Sequence, residues 1–352
     1  MTLLSAPDSA WTGHSRHAGI LALLALLSAA AVTASLGVGA SAISPGTVLR
    51  TLLHAADASP RDAAIVLHLR LPRTLLGFGL GAALAVSGAL MQGLFRNPLA
   101  DPGLIGVSAG GAMAAVAVIV LGVPALLAGT VGPFALPLAA FAGSLCTTLA
   151  IQRIASDDGR TDVSTLLLAG IAINAVAGAV TGFLIFGSDD RQLRDITFWS
   201  MGSLGGATWT TVLGLAPFAL GAVFAAGRWA GVLDALLLGE REAGLLGFDV
   251  EPAKRRIVIA TAAAVGAGVA AAGVIGFVGL VVPHLVRLVA GAGHRLLLPA
   301  SALLGGTLML CADILARTVV VPAEMPIGLV TALLGGPFFL WLLIRQRRSF
   351  PP

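Results

Sequence analysis

The sequence contains no tyrosine and only two cysteines, and just 11% of its 352 residues are charged. Soluble globular domains carry about 25% charged residues, so water is not the main solvent for this chain. Without tyrosine, an interfacial aromatic belt must rely on tryptophan, and Trp199, Trp209, Trp229 and Trp341 all fall near the ends of apolar runs. Cys146 and Cys311 lie inside apolar segments with no CxxC spacing, so they read as packing residues and not as a disulfide or metal site. Enzyme motifs are missing too. There is no P-loop, no HExxH, no GxSxG and no pair of acids at helical spacing within an apolar run. Asp101 and Asp313 come closest to membrane depth, each near the end of a run, where a carboxylate caps a helix or pairs locally.

What is present is apolar. Hydrophobic residues make up 57% of the chain, and 45 glycines suit close helix–helix approach in lipid. A window of about 20 apolar residues predicts ten transmembrane helices near 19–39, 74–94, 103–122, 133–152, 164–187, 210–228, 257–274, 276–291, 296–316 and 326–344. The first run follows Arg16 and His17, but it is too long for a signal-peptide core and reads as a retained helix. The expected fold class is an all-α integral membrane protein. A single domain over 19–345 lies between a cytoplasmic N-terminal tail, 1–18, and a cytoplasmic C-terminal tail, 346–352.

Ten spans put both termini on one side, and Arg345, Arg347 and Arg348 make that side cytoplasmic. This topology divides the 21 Lys and Arg residues 14 inside to 7 outside, an external excess that positive-inside loops do not explain. The net charge of +4 therefore reflects loop residues that set topology, not a nucleic-acid surface.

Two polar segments remain. Residues 40–73 read as an external loop ending in Arg70-Leu71-Pro72-Arg73, with Pro72 in the first turn of the next helix. A helix N-terminus disfavours cations, so these guanidiniums point to a dock for acidic residues of a soluble partner. Residues 234–256 carry nine charges interspersed with Ala243, Leu245, Leu246 and Phe248, and read as a short amphipathic helix on the cytoplasmic face, ended near Gly247.

The stretch RLPRTLLGFGLGAALAVSGALMQGLFRNPLADPGLIGVSAGG at 70–111 resembles the signature of the FecCD-type permeases. These import iron–siderophores, haem and cobalamin in binding-protein-dependent ABC systems. LLLAGIAIN at 166–174, LGEREAGLLG at 238–247, GFVGLVVPHLVRL at 276–288, ADILAR at 312–317 and MPIGLVTALLGGPFFLWLL at 325–343 extend the likeness over 45–345. The resemblance implies a homodimeric ABC importer (type II) permease with two cytoplasmic ATPase subunits and one periplasmic binding protein. It implies alternating access driven by ATP and Mg on the partner ATPase, with no cofactor or metal bound by this chain and no enzymatic activity of its own. The location implied is the bacterial inner membrane.

By the same resemblance, Arg70, Arg73 and Arg317 receive acidic residues of the binding protein. Gly239, Glu240, Ala243, Leu246, Gly247 and Phe248, within a coupling region at 234–250, seat in a groove of the ATPase. Ser164, Asn174 and Thr181, on the span at 164–187, are pathway candidates; the last two lie seven residues apart on one helix face. The run RQLRDITFWSMGSLGGATW at 191–209 is more similar to haem-type members than to cobalamin-type ones. Haem is thus the expected cargo, with ferric siderophore or cobalamin as alternatives. His284 after Pro283 opens a helix turn rather than ligating haem, and His54 and His68 are candidates for transient cargo contact. An ion-coupled secondary transporter would need charge at the membrane midplane, and little is found there.

Overall fold

In lipid every backbone N–H and C=O must be satisfied internally. The computed structural model, which describes residues 9–39, 41, 43–53, 59–123 and 129–347, meets that demand almost entirely with helices. In chain order these are α1 (Ser9–Gly37), α2 (Pro45–Leu52), α3 (Pro60–Ala64), α4 (Leu71–Leu94), α5 (Val107–Leu121), α6 (Ala135–Ile154) and α7 (Val163–Phe186). Then follow α8 (Asp190–Ser200), α9 (Trp209–Leu236), α10 (Glu240–Leu245), α11 (Val250–Ala272), α12 (Val278–Ala290), α13 (His294–Thr318) and α14 (Ile327–Arg347). Among the described residues the strands are two short ones, Ser156–Asp157 and Arg160–Thr161, which form an antiparallel hairpin between α6 and α7.

The expectation of ten spans is corrected here. Seven helices are long and apolar enough to cross a membrane: Arg16–Gly37, Pro60–Leu94, Gly129–Ile154, Val163–Phe186, Trp209–Leu236, Val250–Ala272 and His294–Thr318. The other three expected spans correspond to shorter apolar helices, Val107–Leu121, Val278–Ala290 and Ile327–Leu342. For α5 and α12 the local backbone explains the short length. Asp101 accepts from the Gly103 amide (2.7 Å) to start a 3-10 turn, and Gly106 in the left-handed region delays α5 until Val107. Phe277, also left-handed, delays α12 until Val278, and Gly291 ends it. At 1.5 Å per residue, 13 to 15 residues reach about 20–22 Å, short of the ~30 Å hydrocarbon layer. Hydropathy windows register apolar length but not such breaks. The placement of both termini on one side rested on an even span count and loses that basis. The external loop expected at 40–73 is also largely helical: α2 and α3 fall within it, and the helix starting at Pro60 runs on through Leu94.

α4 is the centre of the bundle. It is buried along nearly its whole length and touched by α9, α11, α12 and α13. Glycine makes this possible at two crossings. A Cβ on Gly88 would overlap the Gly279 carbonyl of α12, and one on Gly81 would overlap the Gly305 carbonyl of α13. Backbones this close gain dispersion contacts that any side chain would prevent.

α4 and α9 run parallel. Trp209 Nε1, at the start of α9, donates to the Leu67 carbonyl (3.2 Å) just ahead of α4, while Leu233 near the end of α9 packs over Gly93 near the end of α4. The arginine-bearing start of α4 and the short helix α10 that follows α9 therefore lie at opposite ends. Across the 24 residues of α4 that separation is roughly 36 Å.

Candidate functional site

At one end, Arg70, Arg73 and Arg317 converge on a cleft of about 390 Å³ also lined by Ser41, Ala207 and Glu324. The segment Ile65–Arg70 is a π-helical turn, in which the Leu71 amide reaches back five residues to the Val66 carbonyl. Such a turn inserts one residue into the helix, and Arg70 at its end points back across α1. It donates to the carbonyls of Leu36 and Gly37 (2.8 Å each) and to the carbonyl of Ser41. Arg317 does the same from α13, donating to the Ser35 carbonyl (2.8 Å) and hydroxyl (3.1 Å). Neither guanidinium sits at a free helix N-terminus, since Arg70 lies inside the helix that runs from Pro60 to Leu94 and Arg317 lies in the last turn of α13, and both satisfy the last carbonyls of α1.

Arg73 lies between two carboxylates. Its Nε donates to Asp313 Oδ1 (2.9 Å), and its Nη1 faces both oxygens of Glu324 (3.0 and 2.9 Å). Asp313, fully buried, also pairs with Arg317 at 3.3 Å. Three cations against two carboxylates leave one net positive charge at the cleft. The sequence marked the three arginines. It gave no signal for Glu324, 251 residues from Arg73 and half-exposed at the cleft rim. Arg70 and Arg317 are buried, and Arg73 is only 13% exposed, so none of the three stands free as a surface charge.

At the other end, α10 is bounded by Gly239 (φ +133°) and Gly247 (φ +87°), conformations that L side chains rarely adopt. Of the residues expected to seat in an ATPase groove, Leu246 and Phe248 are exposed, but Ala243 is fully buried and faces inward. Leu245, at 80% exposure, is the more prominent apolar side chain. Glu240 is turned back to Lys254, which sequence reading passed over. Lys254 is 1% exposed, and its Nζ lies 2.9 Å from Glu240 Oε2, 2.7 Å from Glu251 Oε1 and 2.7 Å from the Thr161 carbonyl. Glu251 Oε2 accepts from the Thr161 amide (2.8 Å). One buried lysine therefore ties α10, α11 and the hairpin strand that leads into α7. Asp162, next along, accepts from the amide and hydroxyl of Thr165, and those bonds hold its carboxyl below the usual carboxylate range.

The pathway candidates on α7 are not gathered into one site. Ser164 is exposed near the N-terminus of α7. Asn174 donates to the Gly103 carbonyl (3.1 Å) and leaves its Oδ1 unpartnered, while Thr181 bonds back to Ala177. His284 is buried edge-on to Phe338 with neither ring nitrogen hydrogen-bonded. His68 is exposed on the π turn, and His54 lies outside the described residues. Cys146 and Cys311 are free and outward-facing. Among the described residues no group of three His, Cys, Asp or Glu side chains could hold a metal.

Comparison with known proteins covers nearly the whole chain. The FecCD transport family matches residues 24–345. A hemin transport system permease protein of Yersinia pestis is 48% identical over 341 residues, 94% of this chain and 96% of that one. A cobalamin import system permease protein of Halobacterium salinarum is 45% identical over 81% of this chain and 74% of its own length. A vitamin B12 import system permease protein of Escherichia coli is 42% identical over 94% of both. Among solved structures, a metal-chelate type ABC transporter in an inward-facing conformation superposes with a TM-score of 0.82 at 31% identity, covering 93% of this chain and 99% of that chain.

Proposed function

The chain belongs to the FecCD transport family, and from that premise we propose that its cargo is a metal tetrapyrrole, the chemistry shared by haem and cobalamin. Family membership makes it the permease subunit of an ABC importer for metal chelates, a multi-pass protein of the inner membrane without catalytic activity of its own. Support for a tetrapyrrole comes from relatives named for hemin at 48% identity and for cobalamin at 45% and 42%. The expectation of haem alone widens accordingly, because a gap of three percentage points does not separate the two.

In this reading the chain pairs with a second copy. A binding protein presents acidic residues to the end carrying Arg70, Arg73 and Arg317, and an ATPase loaded with ATP and Mg engages α10 at the other end. The observation that carries it is the placement of the arginine cleft and the charged helix α10 at opposite ends of the same parallel helices. ATP-dependent uptake into vesicles containing the permease, its ATPase and the binding protein is the test. Haem or cobalamin is expected to accumulate; accumulation of a ferric siderophore alone would overturn the tetrapyrrole reading.

The cleft geometry also sharpens the docking test. Arg70→Glu would unfasten the end of α1 and confuse docking with folding. Glu324 is the cleaner target, since it occupies the face of Arg73 that an acidic partner must win. Glu324→Gln is expected to tighten binding-protein affinity by about fivefold at low salt and by less at high salt, as Debye screening requires. An affinity indifferent to both the substitution and the salt removes Arg73 from the docking face.

A further inference from the structure

Beside the hairpin, at the α10 end of the bundle, lies an opening of about 1220 Å³ that the transport reading does not use. Its walls come from the last turns of α6, the hairpin and the first turns of α11. Arg153, Arg255 and Arg256 line it, all exposed and with no hydrogen bond or ion pair among the described residues. Asp157 and Asp158 line it as well, and neither pairs with any of the three guanidiniums. Glu251, also on the wall, is spent inward on Lys254 and the Thr161 amide.

Gln152 is the decisive residue. It is 6% exposed, lines the opening, and has no partner for either its amide nitrogen or its carbonyl oxygen. A buried amide with nothing to bond is costly, and water or a polar ligand in the opening relieves that cost.

The polarity of the walls is graded along the helix axes. Arg153 lies one residue from the end of α6, and Arg255 and Arg256 lie five and six residues into α11, while Leu149 lies four residues deeper than Arg153 along α6 and Ile259 three residues beyond Arg256 along α11. At 1.5 Å per residue the apolar rim is about 5–6 Å deeper than the charges. A free anion needs no such rim, whereas acyl chains beneath a headgroup do.

We propose that this opening holds the headgroup of an amine-bearing phospholipid, phosphatidylethanolamine in type. Arg153, Arg255 and Arg256 take the phosphodiester, Asp157 and Asp158 take the ammonium, and the Gln152 amide bonds the polar atoms between. Unpaired charges of both signs around one opening match a zwitterion better than a purely anionic lipid. A choline headgroup has no N–H to donate to the two carboxylates.

The assembled transporter, delipidated in detergent, is offered equal amounts of phosphatidylethanolamine, phosphatidylcholine and phosphatidylglycerol, and retained lipid is counted by native mass spectrometry. Phosphatidylethanolamine is expected to be retained over the other two by about fivefold or more, the scale of one lysine or arginine contact at a lipid surface. Arg255→Ala with Arg256→Ala should lower retention of all three lipids by about fivefold or more, because the phosphodiester they hold is common to the three. Asp157→Asn with Asp158→Asn should raise phosphatidylglycerol to the level of phosphatidylethanolamine. All four residues are exposed, so an unchanged melting temperature separates lost binding from lost folding. Equal retention of the three lipids, retention insensitive to both double variants, or displacement by inorganic phosphate, which carries neither ammonium nor acyl chains, would each overturn the assignment.

Discussion

Asp313→Ala is expected to destabilise the protein by about 3–5 kcal/mol, the scale on which removing one partner strands a buried charge. Asp313 is fully buried and is the shared anion of Arg73 (2.9 Å) and Arg317 (3.3 Å). Without it, Arg317 is left on the Ser35 carbonyl and hydroxyl, and Arg73 holds only Glu324 at the solvent rim. Two neighbouring guanidiniums then repel each other in a low-dielectric site, with Arg70 adding to the field. Asp313→Asn keeps the shape and loses the charge, so it should fall at nearly the same cost. Glu324→Gln, removing a half-exposed carboxylate, should leave the melting temperature close to wild type. Thermal unfolding of the three variants in detergent provides the check. If Asp313→Ala melts with wild type, the cluster is not what fastens α1 to α4 and α13.

Lys254→Met should have the other large effect, on coupling. Its side chain is 1% exposed, and removing its charge leaves Glu240, Glu251 and the Thr161 carbonyl facing one another. Glu240 and Glu251 are 41% and 30% exposed and take up water once Lys254 is gone, so the loss of stability is smaller than for Asp313→Ala, about 1–3 kcal/mol. The more specific expectation follows from what Lys254 joins. It links α10, read above as the ATPase contact, to the strand entering α7. With the link cut, the assembled transporter should still hydrolyse ATP while uptake per ATP falls by about tenfold or more, the kinetic equivalent of 1.4 kcal/mol. Lys254→Arg, which keeps the charge, should recover part of the uptake. Hydrolysis and uptake falling in proportion would mean that Lys254 serves assembly alone.

The sequence located seven spans, four of them to within four residues at each end, because a long apolar run has few alternatives in lipid; it started the helix Pro60–Leu94 14 residues late, ended Trp209–Leu236 eight residues early and started Val250–Ala272 seven residues late. Through its resemblance to the family it also marked Arg70, Arg73, Arg317 and the 234–250 region. It overcounted where a left-handed residue such as Phe277 or Gly106 cut an apolar run short, since hydropathy carries no information on φ. It placed Ala243 on the wrong face of a helix of six residues, too short for periodicity to fix its orientation.

Sequence by itself determined the solvent, the family and the inventory of charged groups left outside the spans. Those follow from composition, from apolar length and from motif order along one chain. Tertiary structure alone decided what each charge touches. Arg73 meets Asp313 across 240 residues and Glu324 across 251, and Arg70 ends on the carbonyls of α1 through a π turn invisible in the residue order. In a low-dielectric interior a charge must find a partner wherever the packing brings one, and that packing is set by glycine contacts among helices distant in sequence.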